Sequence, residues 1–198
     1  MREKYKYFAG LNSPGVAALS EDSLRIDIEA MRPLVDVLIV SVHWGDDYKP
    51  VRQLQRNFGR LAIDLGADAV IGHHPHVPQP VELYKGRPII YSIGNFVFSS
   101  MGKEEYEPHL GERRKLCCGM PVILHIDYMS RRVKMIEFIP VLTQNHVIKF
   151  VSRRADFNEA HNALELLRMD SKLNNADFEI INASDGPRGV LWLSKYFE

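Results

Sequence analysis

The sequence predicts an α/β fold: one parallel βαβ unit, then antiparallel hairpins and a C-terminal helix. Three observations predict it. Val35-Asp36-Val37-Leu38-Ile39-Val40-Ser41-Val42 is nearly continuous and rich in β-branched residues, the pattern of a strand covered on both faces in a parallel sheet. From Pro50 the apolar period becomes helical, and at Ala69-Val70-Ile71 it returns to that of a strand. After residue 80, two pairs of apolar runs each close on a short turn, as hairpins do. With 198 residues and 45% hydrophobic side chains, a chain of this size buries roughly 70% of its unfolded surface, so one domain can stand without disulfides or a structural metal.

In chain order, Tyr5-Lys6-Tyr7-Phe8-Ala9 alternates aromatic and polar as a short strand would, and a loop with Gly10, Asn12, Pro14 and Gly15 follows. Ser20 is placed to cap a helix with Leu24, Ile28 and Met31 inward, stopped by Pro33. Val51, Leu54, Phe58, Leu61, Ala62 and Leu65 form one helical stripe, with Gln55 off it; Pro50 suits the first turn and Gly66 the C-terminal cap. Residues 35–72 thus make the βαβ unit. Residues 80–93 read as a hairpin around Lys85-Gly86-Arg87, and 99–117 as a long charged surface loop. A second hairpin pairs 122–128 with 133–141, a helix spans 155–167 with Leu164 and Leu167 inward, and 178–197 is weakly patterned.

The 25 basic and 25 acidic side chains cancel, which argues against a broad polyanion-binding surface and against nucleic acid as a partner. Cys117 and Cys118 are adjacent, a spacing that rarely bridges, and they read as structural. The longest apolar run is too short to span a bilayer, and the first residues lack the apolar stretch of a signal peptide.

The histidines carry the chemistry. His43 ends the first parallel strand and His73, His74 and His76 end the second, so the βαβ unit brings all four to the rim where ligands of open α/β sheets collect. His74 and His76 flank Pro75. In extended backbone, residues two apart point to one side, so the two imidazoles can reach one metal centre or two adjacent ones; the alternative is a set of loop histidines satisfied by carbonyls. Asp46 and Asp47 can orient these imidazoles or simply start a charged loop. Asn95 can bind a metal or a phosphate oxygen, or close a strand-terminal turn. His125 reads as a cross-strand residue, and His109, His146 and His161 as solvated positions.

Three blocks carry a resemblance: Ser41-Val42-His43-Trp44-Gly45; Gly66-Ala67-Asp68-Ala69-Val70-Ile71-Gly72-His73-His74-Pro75-His76-Val77; and Ile90-Tyr91-Ser92-Ile93-Gly94-Asn95-Phe96-Val97-Phe98. In this order they resemble the bacterial capsule-synthesis protein CapA family, linked to poly-γ-glutamate capsules and similar in fold to calcineurin-like metallophosphatases. The resemblance covers roughly residues 5–150. It implies the C-terminal portion of a metallophosphatase-like αββα sandwich, with residues 1–150 a partial family domain and 151–198 a C-terminal helical extension of it.

By the resemblance, His43, His74 and His76 are metal ligands, with His73 ranked below them. Asp47 or Asp46 stands where the family has a Glu after Trp-Gly. The family's Gly-Asp, Asn-Leu-Glu and Asn-Asn-His blocks do not occur in this chain, so half of a dinuclear site is expected. The implied cofactor is a divalent ion (Mn, Zn or Fe), two ions in the intact family domain. The expectation is a CapA-like protein of capsule biosynthesis, a metal-dependent, phosphoesterase-like hydrolase once completed by the other half. The alternatives are a non-catalytic scaffold of a polymer synthesis or export complex, or an inactive truncated remnant. The expected partners are capsule synthase components or poly-γ-glutamate, with self-association through an uncovered sheet edge. The family is often membrane-anchored and extracytoplasmic.

Overall fold

Ser20 caps the first helix, α1 (Glu21–Met31). Its hydroxyl accepts from the Ser23 amide at 3.0 Å, and the Ser23 hydroxyl accepts from the Ser20 amide at 3.0 Å, a reciprocal capping box. The computed structural model describes residues 8–10, 12–97, 118–143, 152–193 and 196. Leu24 and Ile28 are buried, whereas Met31, expected inward, is 44% exposed where Pro33 turns the chain through a single 3₁₀ turn.

The βαβ unit forms as expected. β1 (Ile39–His43), α2 (Gln53–Asp64) and β2 (Ala69–His73) follow one another, and β1 pairs parallel to β2 from Ile39↔Ala69 to His43↔His73. Two details differ. β1 starts four residues later than the apolar run, because Arg32 donates to the carbonyls of Val35 (2.6 Å) and Asp36 (2.9 Å) while Asp68 accepts from the Leu38 amide (2.8 Å), holding 35–38 as a loop. Among the described residues β1 is also an edge strand: Val42 packs under the helices, but Ile39, Ser41 and His43 are exposed, so these residues do not cover the strand on both faces.

The buried face of α2 is Gln55, Gly59, Ala62 and Ile63, and Leu54 is 60% exposed. Gly59 sets this rotation, since a Cβ there would lie 2.8 Å from Ile89 Cγ2; the helix lies directly on the sheet. Gln55 goes inside because both ends of its amide are paired, the oxygen accepting from the Arg52 amide (2.9 Å) and the nitrogen donating to Gln79 (3.0 Å).

β3 (Val81–Tyr84) and β4 (Arg87–Ile90) form the predicted hairpin, with Lys85 at φ 51° and Gly86 at φ 73°. Two successive left-handed residues are what a type I′ turn requires. β4 also pairs parallel to β2, giving the order β1-β2-β4-β3. β5 (Cys118–Gly119) precedes the second hairpin, β6 (Val122–Asp127) and β7 (Arg132–Phe138). β8 (Val141–Leu142) and β9 (Arg153–Arg154) join β5 in a small sheet. α3 (Phe157–Asp170) carries a capping box between Asp156 and Glu159 and buries Leu164 and Leu167.

The segment expected as a helical extension continues beyond α3 into a hairpin, β10 (Phe178–Ala183) and β11 (Gly186–Trp192), in the sheet β10-β11-β7-β6. Its pattern is weak because Gly189 stands where a core side chain would be. A Cβ there would lie 2.4 Å from the Phe178 ring. The loop expected over 99–117, residues 5–7 of the first expected strand, and Cys117 lie outside the described residues.

Alternation along β2 and β4 assigns the layers. Val70 and Ile89 face α1 and α2 in one core, with Val42, Trp44 and Tyr91. Ala69 and Ile90 face the second sheet, with Ile136, Phe138, Phe178 and Leu191 and with Leu164 of α3. The fold is mixed α/β, in keeping with a partial metallophosphatase-like sandwich. No helix among the described residues is long and apolar enough to cross a membrane.

Candidate metal centre

Parallel pairing places the carboxyl ends of β1 and β2 side by side, with His43 opposite His73. Beyond them the backbone is held closely. The Trp44 indole donates to the Tyr91 carbonyl at 2.8 Å and the Trp44 amide to the His73 carbonyl at 3.1 Å. Gly72 admits this approach, because a Cβ would lie 2.1 Å from the Tyr91 oxygen. The chain then turns at Gly45 (φ 85°), and the Tyr48 amide donates to the Pro75 carbonyl at 2.8 Å, tying the Gly45–Tyr48 loop to His74-Pro75-His76.

His74 (φ 100°) and His76 (φ 59°) both adopt left-handed backbone, not the extended form expected. Non-glycine residues hold such conformations only where their surroundings fix them, and these cluster at functional sites. The imidazoles nevertheless converge, with ring centroids 5.9 Å apart. Asp47 Oδ1 lies 3.3 Å from His74 Nε2 and 3.7 Å from His76 Nε2. The three residues offer ligand atoms within 4.8 Å of one another.

His76 Nδ1 is 2.8 Å from the Asn95 side-chain oxygen. An amide oxygen only accepts, so Nδ1 is the donor in this bond, and Nε2 is the nitrogen turned toward Asp47. Tyr48 stacks on His76 with centroids 5.8 Å apart. The His43 ring packs against His74 at 4.7 Å. Partial desolvation of the ring, and then the neighbouring imidazoles of His74, His73 and His76, hold His43 below the usual histidine range against the opposing pull of Asp47. The neutral imidazole is the form that ligates metals.

The remaining candidates separate. Asp46 pairs with Arg52 and is committed to the start of α2, which leaves Asp47 as the carboxylate of the cluster. His73 does not join its neighbours. Its Nε2 shares a 3.2 Å hydrogen bond with Ser41 Oγ, and both line a separate, largely apolar cleft of about 350 Å³. His125 bonds Glu137 across the second sheet at 2.6 Å, as a cross-strand residue would, and His161 stacks on Phe157 of α3. His109 and His146 lie outside the described residues.

Sequence reasoning did not anticipate Tyr48, the Ser41–His73 pair, or the buried relay in which Gln55 donates to Gln79 and Gln79 donates to the Lys49 carbonyl at 2.8 Å. Ser41 was legible from strand alternation, because 41 and 43 share one face with 71 and 73 in the parallel register. Nothing local marks Tyr48 or the glutamines, whose partners are set by tertiary contact.

Comparison with known proteins gives consistent findings. Residues 1–100 match the family model described as bacterial capsule synthesis protein PGA_cap. The PGA biosynthesis protein CapA of Bacillus subtilis is 40% identical over 93 residues, 46% of this chain and 24% of that protein. The capsule biosynthesis protein CapA of Bacillus anthracis is 38% identical over 91 residues, 43% of this chain and 22% of that protein. A probable polyglutamine synthesis accessory protein of Mycobacterium tuberculosis is 38% identical over 82 residues, 41% of this chain and 22% of that protein. The matched stretch thus spans about a quarter of the length of these curated relatives.

Proposed function

Because the chain belongs to the bacterial capsule synthesis protein family PGA_cap, we propose that it is a CapA-like protein of capsule polymer biosynthesis in which Asp47, His74 and His76 hold a divalent metal ion. The observation that carries this reading is the convergence of those three side chains at the paired strand ends. Two donors each about 2.1 Å from one ion stand roughly 3.0–3.4 Å apart for angles between octahedral and tetrahedral. The 3.3 Å from Asp47 to His74 falls in that range, and the 3.7 Å to His76 lies a few tenths of an ångström above it.

Carboxylate and imidazole together suit zinc, manganese or iron. When bound, such an ion supplies Lewis acidity toward a carbonyl or phosphoryl oxygen, which is the chemistry of a hydrolase. The chain's own residues prepare the site: Asn95 fixes the His76 tautomer, Tyr48 packs against that ring, and the Tyr48–Pro75 bond holds Asp47 opposite the two imidazoles. His43, against His74, is placed to add a further donor. A dinuclear centre would need more carboxylate donors than these residues supply, and is proposed only for a longer family domain.

A non-catalytic accessory role is the second reading, supported by the printed description of the mycobacterial relative. Metal content after manganese or zinc loading tests the site. About one ion per chain is expected for the wild type, with Asp47→Ala, His74→Ala and His76→Ala each losing it; equal retention by all four would overturn the assignment. Metal-dependent turnover of bis(4-nitrophenyl) phosphate, abolished by His74→Ala, would separate the hydrolase from the accessory reading.

A further inference from the structure

Asp47 is the member of the Asp47–His74–His76 cluster that packing holds least. Its side chain is 57% exposed, against 32% for His74 and 23% for His76. An exposed carboxylate keeps one position only if its peptide is held. Two hydrogen bonds from beyond the loop hold it. The Tyr48 amide donates to the Pro75 carbonyl at 2.8 Å, and the Lys49 carbonyl accepts from the Gln79 side chain at 2.8 Å. The Lys49 amide also donates to the Asp46 carbonyl at 3.3 Å, which closes the turn around Asp47.

The bond to Lys49 is the end of a buried relay, since Gln55 and Gln79 are 2% and 1% exposed. The Arg52 amide at its head only donates and the Lys49 carbonyl at its tail only accepts, so both side-chain amides are oriented. Gln55 takes the Arg52 amide on Oε1 and donates to Gln79 Oε1, which turns the Gln79 nitrogen toward Lys49. The relay is fixed on both elements that carry it. Gln55 stands on the buried face of α2, and its amide lies against Gly45, where a Cβ would come within 3.0 Å of it. The Gln79 backbone amide donates to the Ser92 carbonyl at 3.0 Å, three residues along the chain from His76. Burying two carboxamides carries a desolvation cost that their hydrogen bonds offset, and an apolar pair of the same shape would fill the core as well. An apolar pair could not grip the Lys49 carbonyl.

We propose that Gln55 and Gln79 are positioning residues for a metal ion: through the Lys49 carbonyl they set the Asp46–Lys49 turn so that Asp47 stands opposite His74 and His76. This rests on the reading of Asp47, His74 and His76 as a metal centre. It places the control of metal affinity partly on α2, in two side chains that touch none of the three donors.

The test compares the wild type with the double variant Gln55→Met/Gln79→Met, whose unbranched side chains fill the space without donor or acceptor, and with Gln79→Asn, whose amide is drawn back by one bond of roughly 1.5 Å. Three quantities are read on chains shown by circular dichroism to be folded. They are the urea midpoint, the zinc affinity by competition with a chromogenic chelator, and the exchange rate of the Tyr48 amide proton by NMR without metal. The double variant should keep a urea midpoint close to that of the wild type, because both partners are replaced together. Its zinc binding should weaken by roughly tenfold, the lower end for groups that orient a ligand from outside. Its Tyr48 amide should exchange roughly five- to tenfold faster, the worth of one hydrogen bond. Gln79→Asn should show the same two losses, and decides the matter if the double variant does not fold.

Zinc affinity equal to that of the wild type in a folded variant would overturn this inference and leave the metal centre standing, whatever the exchange rate. Weaker zinc binding with Tyr48 exchange unchanged would overturn the route through the loop. A wild type that takes up no zinc would overturn the metal centre itself, and the positioning role with it.

Discussion

Asn95 decides which nitrogen of His76 faces Asp47, and it does so through one 2.8 Å hydrogen bond. Removing the acceptor frees the imidazole to rotate and to exchange tautomers, and outer partners of metal-binding histidines are typically worth roughly 10–100-fold in affinity. Asn95→Ala is therefore expected to weaken manganese or zinc binding by that factor, whereas Asn95→Asp, which keeps an acceptor oxygen, should bind nearly as well as the wild type. Competition titration with a chromogenic chelator measures both. Gly72 acts by what it lacks. With a Cβ 2.1 Å from the Tyr91 oxygen and 2.4 Å from the Trp44 indole nitrogen, Gly72→Ala must push β2 away from the strand-end contacts. A loss of about 3 kcal/mol in urea unfolding is expected, at the upper end for overpacking a close contact.

At the scale of elements, β7 and β11 are joined by a charged network as well as by their ladder. Glu137 accepts from Arg188, and His125 bonds it from β6. The Arg188 hydrogen bond, followed by that of His125, holds the Glu137 carboxyl below the usual carboxylate range against the opposing effect of burial. A carboxylate depressed on folding contributes stability that is full above its unfolded value and is lost as pH falls through its folded value. The wild type should thus exceed Glu137→Gln in urea stability at pH 7, with the gap closing as pH drops below about 4.5. A gap independent of pH would show that the ionised form adds nothing. α3 offers a simpler test: the Asp156 side chain accepts from the Glu159 amide at 2.9 Å, and Asp156→Ala should cost about 1 kcal/mol in the same assay.

Which elements were legible follows from what fixes them. α1, the βαβ unit, both central hairpins and α3 are specified by local pattern, by caps at Ser20 and Asp156, and by the Lys85-Gly86 turn, so the sequence displays them. The rotation of α2 and the β10–β11 hairpin are decided by close approach at Gly59 and Gly189, where the informative side chain is the one on the opposite element. The candidate site divides the same way. The strand ends and the histidines were readable, but that Asp47 and not Asp46 stands beside the imidazoles depends on Arg52 pairing with the latter, and the separate placing of His73 depends on its hydrogen bond to Ser41.

The whole molecule is coupled through one sheet. Val70 and Ile89 belong to the core under α1 and α2, while their strand neighbours Ala69 and Ile90 belong to the core shared with the second sheet and α3. The Val81 amide also donates to the Ser171 hydroxyl at 2.8 Å, tying β3 to the end of α3. Loosening one core therefore displaces the strands that form the other, and the Asp47–His74–His76 cluster sits at the ends of those strands. Phe138, fully buried against Phe178 with ring centroids 5.6 Å apart, is far from the cluster in sequence and belongs to the second core. Phe138→Ala should cost about 3–5 kcal/mol, a large share of the roughly 5–15 kcal/mol that holds an ordinary domain. The loss should be reported equally from the first core, where Trp44 lies. With Trp192→Phe as background, Trp44 fluorescence and far-ultraviolet circular dichroism should move to lower urea by the same amount in Phe138→Ala and keep coincident midpoints. A Trp44 transition that stays in place while the dichroism shifts would mean that the layers unfold separately, and that the Asp47–His74–His76 cluster stands on the first core alone.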